Sequence, residues 1–209
     1  MKSSDGSRLE AVRKYARESR DAIEVFFAAE AEKIVRVADL LAGRLKDGGK
    51  ILLMGNGGSA ADAQHLAAEL VGRYLKDRAP LAAVALTTDS SILTAVGNDY
   101  GFESVFERQV AALCRKGDAA IGISTSGSSA NVLRGLAAAR QIGALTVGMA
   151  GRDGGKMPGV CDHLFIVHHD ATPVIQQVQI TLGHALCRLI EDAMFPEKKT
   201  KRAPEAGKK

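Results

Sequence analysis

Short apolar segments alternate with helical patterns along most of this chain, and this alternation constrains the fold more than any other feature. The predicted strands lie near residues 50–54, 81–86, 118–123, 144–149 and 162–167. The predicted helices lie near residues 59–75, 89–96, 101–114, 129–142 and 172–194. Strands separated by helices run parallel, because each helix returns the chain to the same edge of the sheet. The pattern therefore predicts an α/β domain with a parallel, doubly wound sheet.

The region before the first strand predicts two amphipathic helices over residues 8–46. Apolar side chains recur at helical spacing in both halves of this segment, and a pair of glycines at 48–49 ends it. The 209 residues give room for one ordinary domain. We expect this domain to cover residues 8–196, between a disordered N-terminus over 1–7 and a disordered basic tail over 197–209.

Charge and composition exclude several classes of partner. The last twelve residues carry six basic side chains and one acidic one, so the rest of a chain with net charge +4 is close to neutral. Aromatic residues make up 4% and tryptophan is absent, which argues against a base-stacking surface, and we predict no nucleic-acid partner. No 18-residue apolar run or signal segment is present, which predicts no membrane association. The three cysteines form no close pair, so we expect a cytoplasmic protein.

A glycine-rich loop follows the first predicted strand, at residues 55–60 (GNGGSA). Glycines let a ligand approach the backbone closely, and the helix that follows offers free N–H groups. The same residues match the dinucleotide-binding pattern G-x-G-x-x-A, for which Asp89 supplies an acid at the end of the second strand. A glycine turn that binds nothing also fits. The spacing alone leaves these interpretations open.

A hydroxyl-rich loop follows the third predicted strand, at residues 124–129 (STSGSS). A helix N-cap needs one hydroxyl, whereas five hydroxyls beside a helix N-terminus suit a phosphate group. We therefore interpret this Ser/Thr loop as a phosphate site in preference to a simple cap. Because parallel strands share their carboxyl edge, the two loops together predict a sugar-phosphate ligand there.

Two pairs of polar side chains lie on predicted helices. His65 and Glu69 are four residues apart, so they share one helix face and can bind a metal or transfer protons. Gln176 and His184 are eight residues apart on the last helix, a span of about 12 Å at 1.5 Å per residue. Each pair alone is a weak signal, because such residues on helices are most often exposed or structural.

Taken together, these residues resemble the phosphoheptose isomerase family of sugar isomerase (SIS) domain proteins. The resemblance covers roughly residues 8–196. It rests on GNGGSAADAQHLAAELVGRY (55–74), GNDYGF (97–102), GISTSGSSANV (122–132), GRDGGKM (151–157) and IQQVQITLGH (175–184). It implies a five-stranded, flavodoxin-like parallel sheet with an N-terminal helical extension, assembled as a homotetramer. It also implies conversion of D-sedoheptulose 7-phosphate to D-glycero-D-manno-heptose 7-phosphate through an enediol, the first step of activated-heptose synthesis for the lipopolysaccharide core.

The resemblance further implies one zinc ion per subunit and roles for named residues. The zinc ligands would be His65, Glu69, Gln176 and His184. Glu69 would act as the base and His184 as the acid. The substrate contacts would be Asn56, Gly57, Gly58, Ser59, Glu69, Arg73, Asn98, Asp99, Ser124, Thr125, Ser126, Ser129 and Gln176. The chain departs from the usual family pattern at Ser128, Gln177 and Gln179, none of which is a predicted ligand.

Three other functions compete with this hypothesis. A non-enzymatic SIS protein that acts through protein contacts, as replication-initiator-associating proteins do, has no need of all four predicted ligands. A nicotinamide-dependent dehydrogenase explains the glycine loop but not the Ser/Thr loop. Arabinose 5-phosphate isomerases are closer enzymatic relatives, but they often carry a regulatory domain for which this chain has no room.

Overall fold

The computed structural model describes residues 2–196, and the predicted tail over 197–209 lies outside them. In chain order the elements are α1 (Lys2–Lys46), β1 (Ile51–Gly55), α2 (Gly58–Val71), β2 (Ala83–Ala85), α3 (Ser90–Tyr100), α4 (Val105–Leu113), β3 (Ala119–Ser124), α5 (Ala130–Ile142), β4 (Leu145–Gly151), β5 (His163–Val167) and α6 (Thr172–Met194). The predicted alternation of strands and helices is confirmed. Among the strands, the main difference from the prediction is that β2 (Ala83–Ala85) is shorter than the predicted strand over 81–86.

The five strands form one parallel sheet in the order β2-β1-β3-β4-β5. This is the flavodoxin-like order, so the predicted fold class is confirmed. The connections leave β1 and β3 in opposite directions, and this switch point opens a crevice at the carboxyl ends of these two strands. The glycine loop after β1 and the Ser/Thr loop after β3 therefore flank the same crevice.

Helices cover both faces of the sheet. Leu53 faces a core shared with α1, α2 and α6, whereas its neighbour Met54 faces a core shared with α4 and α5. Successive side chains of a strand point to opposite faces, so a strand that is covered on both sides is apolar throughout. This explains why β1 has the sequence ILLMG and is buried at every position.

The N-terminal region differs from the prediction of two helices over 8–46, because α1 is one continuous helix from Lys2 to Lys46. Residues 28–33 (AAEAEK), which separate the two predicted helices, are strong helix formers without Gly or Pro, so nothing there ends the helix. The helix also includes residues 2–7, which lie in the segment 1–7 predicted to be disordered.

The two halves of α1 lie in different environments. The C-terminal half packs on the domain through buried residues that include Phe26, Ile34 and Leu41, whereas the side chains of residues 6–18 are all exposed.

None of the helices within residues 2–196 is both long and apolar enough to cross a bilayer.

Candidate active site

The two loops at the switch point are joined by a pair of amides. Asn56, in the glycine loop, donates from Nδ2 to Asn131 Oδ1 over 2.9 Å, and Asn131 Nδ2 donates back to Asn56 Oδ1 over 2.8 Å. Asn131 lies in the first turn of α5 and is buried. The pair fixes the spacing between the predicted sugar-binding loop and the predicted phosphate-binding loop.

Three of the four predicted metal ligands meet between α2 and α6. His65 Nε2 lies 3.0 Å from Glu69 Oε1 and 3.3 Å from His184 Nε2. The ligand atoms of these three residues all lie within 4.8 Å of one another. Two imidazole nitrogens and a carboxylate oxygen form the donor set of many catalytic zinc sites, so this His–Glu–His cluster fits a zinc ion.

Gln176, the fourth predicted ligand, lies against the start of α2. A Cβ atom on Gly58 would come within 2.5 Å of Gln176 Nε2. The glycine therefore leaves the space that the amide occupies. Because His184 on the same helix contacts His65, α6 presents both Gln176 and His184 to α2.

The hydroxyls of the Ser/Thr loop turn toward one another beside the half-buried Thr125. Ser124 Oγ lies 2.9 Å from Ser129 Oγ and 3.4 Å from Ser126 Oγ. Ser129 immediately precedes α5, yet its hydroxyl caps no N–H of that helix, and the N–H of Val132 is instead bonded to Asn131 Oδ1 over 2.9 Å. The loop is therefore built for more than capping, and its hydroxyls lie beside a helix N-terminus that attracts anions.

The loop after β4 supports the Ser/Thr loop. Gly127 has a φ of +63°, and a Cβ atom there would overlap the carbonyl of Gly154. Lys156 donates its backbone N–H to Gly127 O over 2.9 Å. The segment 151–157, one of those that carry the family resemblance, thus packs directly against the Ser/Thr loop. Ser126 and Ser128 of the Ser/Thr loop and Arg152 of the loop after β4 line a cleft of about 730 Å³, which His168, His169 and Asp170 also border.

Arg73, Asn98 and Asp99 are exposed. Asn98 Nδ2 donates to Asp99 Oδ1 over 2.9 Å at the end of α3. In the described part of the chain, none of the three forms a hydrogen bond with the His–Glu–His cluster or the Ser/Thr loop. Their contacts with substrate stay a prediction.

The sequence analysis missed three residues beside the site: Asp62, Tyr74 and Asn131. Burial raises the pKa of Asp62, and the nearby His65 and His184 oppose this rise. The ring of Tyr74 stacks on that of His184, with centroids 5.8 Å apart. The i, i+3 spacing of Asp62 and His65 is a signal that points to the first of them. Tyr74 and Asn131 give no such signal, because their contacts join elements that are distant in sequence.

Comparison with known proteins identifies the family. A model of the SIS domain matches residues 14–151. The phosphoheptose isomerase of Aquifex aeolicus is 59% identical over 184 residues, which cover 88% of this chain and 96% of that protein. The chain belongs to the phosphoheptose isomerase family. The predicted resemblance and the predicted isomerase class are confirmed, which favours them over the dehydrogenase and the non-enzymatic alternatives.

Solved phosphoheptose isomerases share the fold of this chain. The structure of the Neisseria gonorrhoeae enzyme has a TM-score of 0.83 at 47% identity, and that of the Francisella tularensis enzyme has 0.85 at 34% identity. Each comparison covers 88% of this chain and 98% of the other. This chain therefore matches these relatives over nearly their whole length.

Proposed function

We propose that this chain interconverts D-sedoheptulose 7-phosphate and D-glycero-D-manno-heptose 7-phosphate at the crevice between β1 and β3, as the first step of activated-heptose synthesis. The observation that carries the proposal is the His–Glu–His cluster, in a chain of the phosphoheptose isomerase family that also has a hydroxyl-rich loop at the switch point. The cluster suits proton transfer at the carbonyl end of the sugar, and the Ser/Thr loop suits the phosphate end.

The isomerisation moves a proton between C1 and C2 of the sugar. Glu69 takes the proton from C1 while His184 donates a proton to the C2 carbonyl oxygen, which gives an enediol. Glu69 then returns a proton to C2, and the O1 hydroxyl proton passes to His184 as the C1 aldehyde forms. Positioned acids and bases of this kind contribute about 10²–10⁴-fold to a rate.

We assign one zinc ion per subunit to His65, Glu69, Gln176 and His184. When bound there, zinc would polarise the sugar carbonyl. A ligand of zinc is less basic than a free side chain. Metal binding and turnover therefore have to be measured separately for Glu69 and His184, because one substitution can affect both.

We assign the phosphate to Ser124, Thr125, Ser126 and Ser129, together with the first N–H groups of α5. We assign the sugar hydroxyls to a second set of contacts. These are Asn56, Gly57, Gly58, Ser59 and Gln176, with Arg73, Asn98 and Asp99 as further contacts. Binding energy from the remote phosphate helps to align the reacting carbons with Glu69 and His184.

We further propose that the enzyme is a cytoplasmic homotetramer in which α1 joins the subunits. The 45 residues of α1 span about 68 Å, and exposed apolar side chains lie along it, namely Leu9, Val12, Tyr15, Val25, Val35 and Leu40. A groove of about 450 Å³ between α1 and β5 adds the half-buried Ile166, with the acidic Glu18 and Asp21 at its edge. Exposed apolar side chains on a long helix suit contact between subunits.

The decisive experiment incubates the enzyme with D-sedoheptulose 7-phosphate in D₂O and follows the products by NMR, with and without a zinc chelator. We expect an aldose heptose 7-phosphate with deuterium at C2, loss of this product on chelation, and recovery when zinc is restored. Glu69→Gln and His184→Gln should abolish turnover while sugar-phosphate binding stays detectable. A folded, zinc-supplied enzyme that neither forms product nor exchanges deuterium would overturn the proposal.

A further inference from the structure

A buried ion pair lies behind the His–Glu–His cluster and takes no part in the proposed chemistry. Arg78 Nε lies 3.0 Å from Glu191 Oε1, and the two side chains are 2% and 0% exposed. Arg78 lies in the connection after α2, and Glu191 lies near the end of α6. The pair therefore links the two helices that supply the predicted zinc ligands.

Arg78 holds the end of α2. Its Nη2 donates to Glu69 O over 2.9 Å, and its Nη1 donates to Leu70 O over 2.7 Å. The last carbonyl groups of a helix have no partner within the helix and carry partial negative charge, so a cation is favoured there. The guanidinium thus fixes the turn of α2 from which the Glu69 side chain projects.

Glu191 holds the connection that follows α2. Its carboxylate accepts the backbone N–H groups of Tyr74, Leu75 and Lys76 over 3.0–3.1 Å, in addition to Arg78. Burial raises the pKa of Glu191, but these four donors outweigh it and leave the pKa below its usual value. An ionised carboxylate therefore anchors three consecutive residues of an otherwise exposed connection to α6.

Tyr74 is the residue through which this anchor reaches the cluster. Its ring lies on that of His184 with centroids 5.8 Å apart and an angle of 29° between the planes. Its backbone N–H is bonded to Glu191, which lies seven residues after His184 on the same face of α6. The imidazole of His184 thus contacts both His65 and the anchored Tyr74 ring.

We propose that Tyr74 is a positioning residue for His184, and that the Arg78–Glu191 pair acts on the zinc site by fixing Tyr74. The inference rests on the proposed zinc site. An imidazole binds metal well only when its ring orientation is fixed by its surroundings, and loss of such support weakens metal binding by roughly ten- to a hundredfold. A residue in a loop gives that support only if the loop itself is held.

The first test compares Tyr74→Leu, which removes the stacked ring, with Tyr74→Phe, which keeps it. Zinc affinity is measured on metal-free protein by competition with a chromophoric chelator, alongside kcat, KM and Tm. We expect Tyr74→Leu to bind zinc roughly ten- to a hundredfold more weakly and to lose kcat, with KM and Tm unchanged. Tyr74→Phe should bind zinc as the parent protein does. Equal affinity in Tyr74→Leu and the parent would overturn the inference.

The second test addresses the ion pair. Glu191→Gln removes the charge in the same shape, and Asp192→Asn is the matched control, since Asp192 pairs with Lys76 at the surface and accepts no backbone N–H from the connection. We expect Glu191→Gln to weaken zinc binding and Asp192→Asn to leave it unchanged. The effects of Glu191→Gln and Tyr74→Leu should be less than additive, because both act on one ring. Full additivity would show that the pair does not act through Tyr74.

The failure of this inference is distinguishable from the failure of the proposed zinc site. Parent protein that binds no zinc at all would contradict the zinc site, and with it the inference. Parent protein that binds zinc tightly, together with a Tyr74→Leu variant that binds it equally well, would contradict the role of Tyr74 alone.

Discussion

Asn56 and Asn131 exchange two amide hydrogen bonds of 2.9 and 2.8 Å across the switch point of the sheet. The two residues are 75 positions apart, and Asn56 lies in the glycine loop whereas Asn131 lies in the first turn of α5, directly after the Ser/Thr loop. Each amide uses one donor and one acceptor on the other, so neither loop can shift along the sheet edge without breaking a bond. This reciprocal pair makes the two loops a single unit.

Replacement of Asn131 by Ala should therefore affect both stability and substrate binding. The change leaves the Asn56 amide without its partner, which costs about 1–3 kcal/mol in the free energy of unfolding. We also expect KM to rise, because the glycine loop and the Ser/Thr loop, which we propose bind the sugar and the phosphate, lose their fixed spacing. Urea unfolding and steady-state kinetics check this, and Asn56→Ala in the same background should add little further loss. An unchanged free energy of unfolding would contradict the coupling.

Replacement of Gly58 by Ala tests the placement of Gln176. The new methyl group would lie 2.5 Å from Gln176 Nε2, and this flexible amide has to move away. We expect weaker zinc binding with little change in Tm, since only a side-chain end is displaced. Gly43→Ala is the control, because a Cβ atom there meets nothing within 4 Å. Unchanged zinc affinity in Gly58→Ala would argue against Gln176 as a ligand.

Replacement of Gln179 by Met should stabilise the protein. Gln179 is 1% exposed, and its two amide atoms find no hydrogen-bond partner among the described residues. Such a buried polar group costs about 1–3 kcal/mol, whereas Met has a similar shape and no amide to satisfy. Thermal and urea unfolding should show the gain. Gln177→Met is the comparison, since Gln177 donates to the Tyr15 hydroxyl and should give no gain. A less stable Gln179→Met variant would contradict the prediction.

Acid should weaken the fold partly through Glu191. Its pKa is lowered in the folded protein, so the unfolded chain takes up a proton at a higher pH than the folded chain does. The stability from Glu191 is therefore complete above about pH 5 and is lost as pH falls below 4.5 through the lowered pKa. Urea unfolding of metal-free protein between pH 7 and 3.5 should show a smaller loss in Glu191→Gln than in the parent. Equal losses would contradict this role for Glu191.

The arrangement of strands and helices was predictable from local sequence. The buried run ILLMG and its counterparts define the strands, because a strand covered on both faces has to be apolar throughout. The spacing of His65 and Glu69 was equally local, since four residues on a helix fix a shared face. The single helix α1 was not predicted, although its apolar positions keep one face from Leu9 to Leu45, because a helix of this length is unusual in a globular domain and the pattern was divided in two.

The sequence by itself determined which functional groups follow which strands: a glycine loop after β1, a His–Glu pair on the next helix, and a hydroxyl-rich loop after β3. These follow from propensity and periodicity, which act within a few residues. Only the tertiary structure decided that His184 reaches His65, that Gln176 fills the space above Gly58, and that Tyr74 is held against His184 by a buried ion pair. Such contacts depend on how α6 packs against α2, and this packing is set by the combined fit of many side chains that no local pattern records.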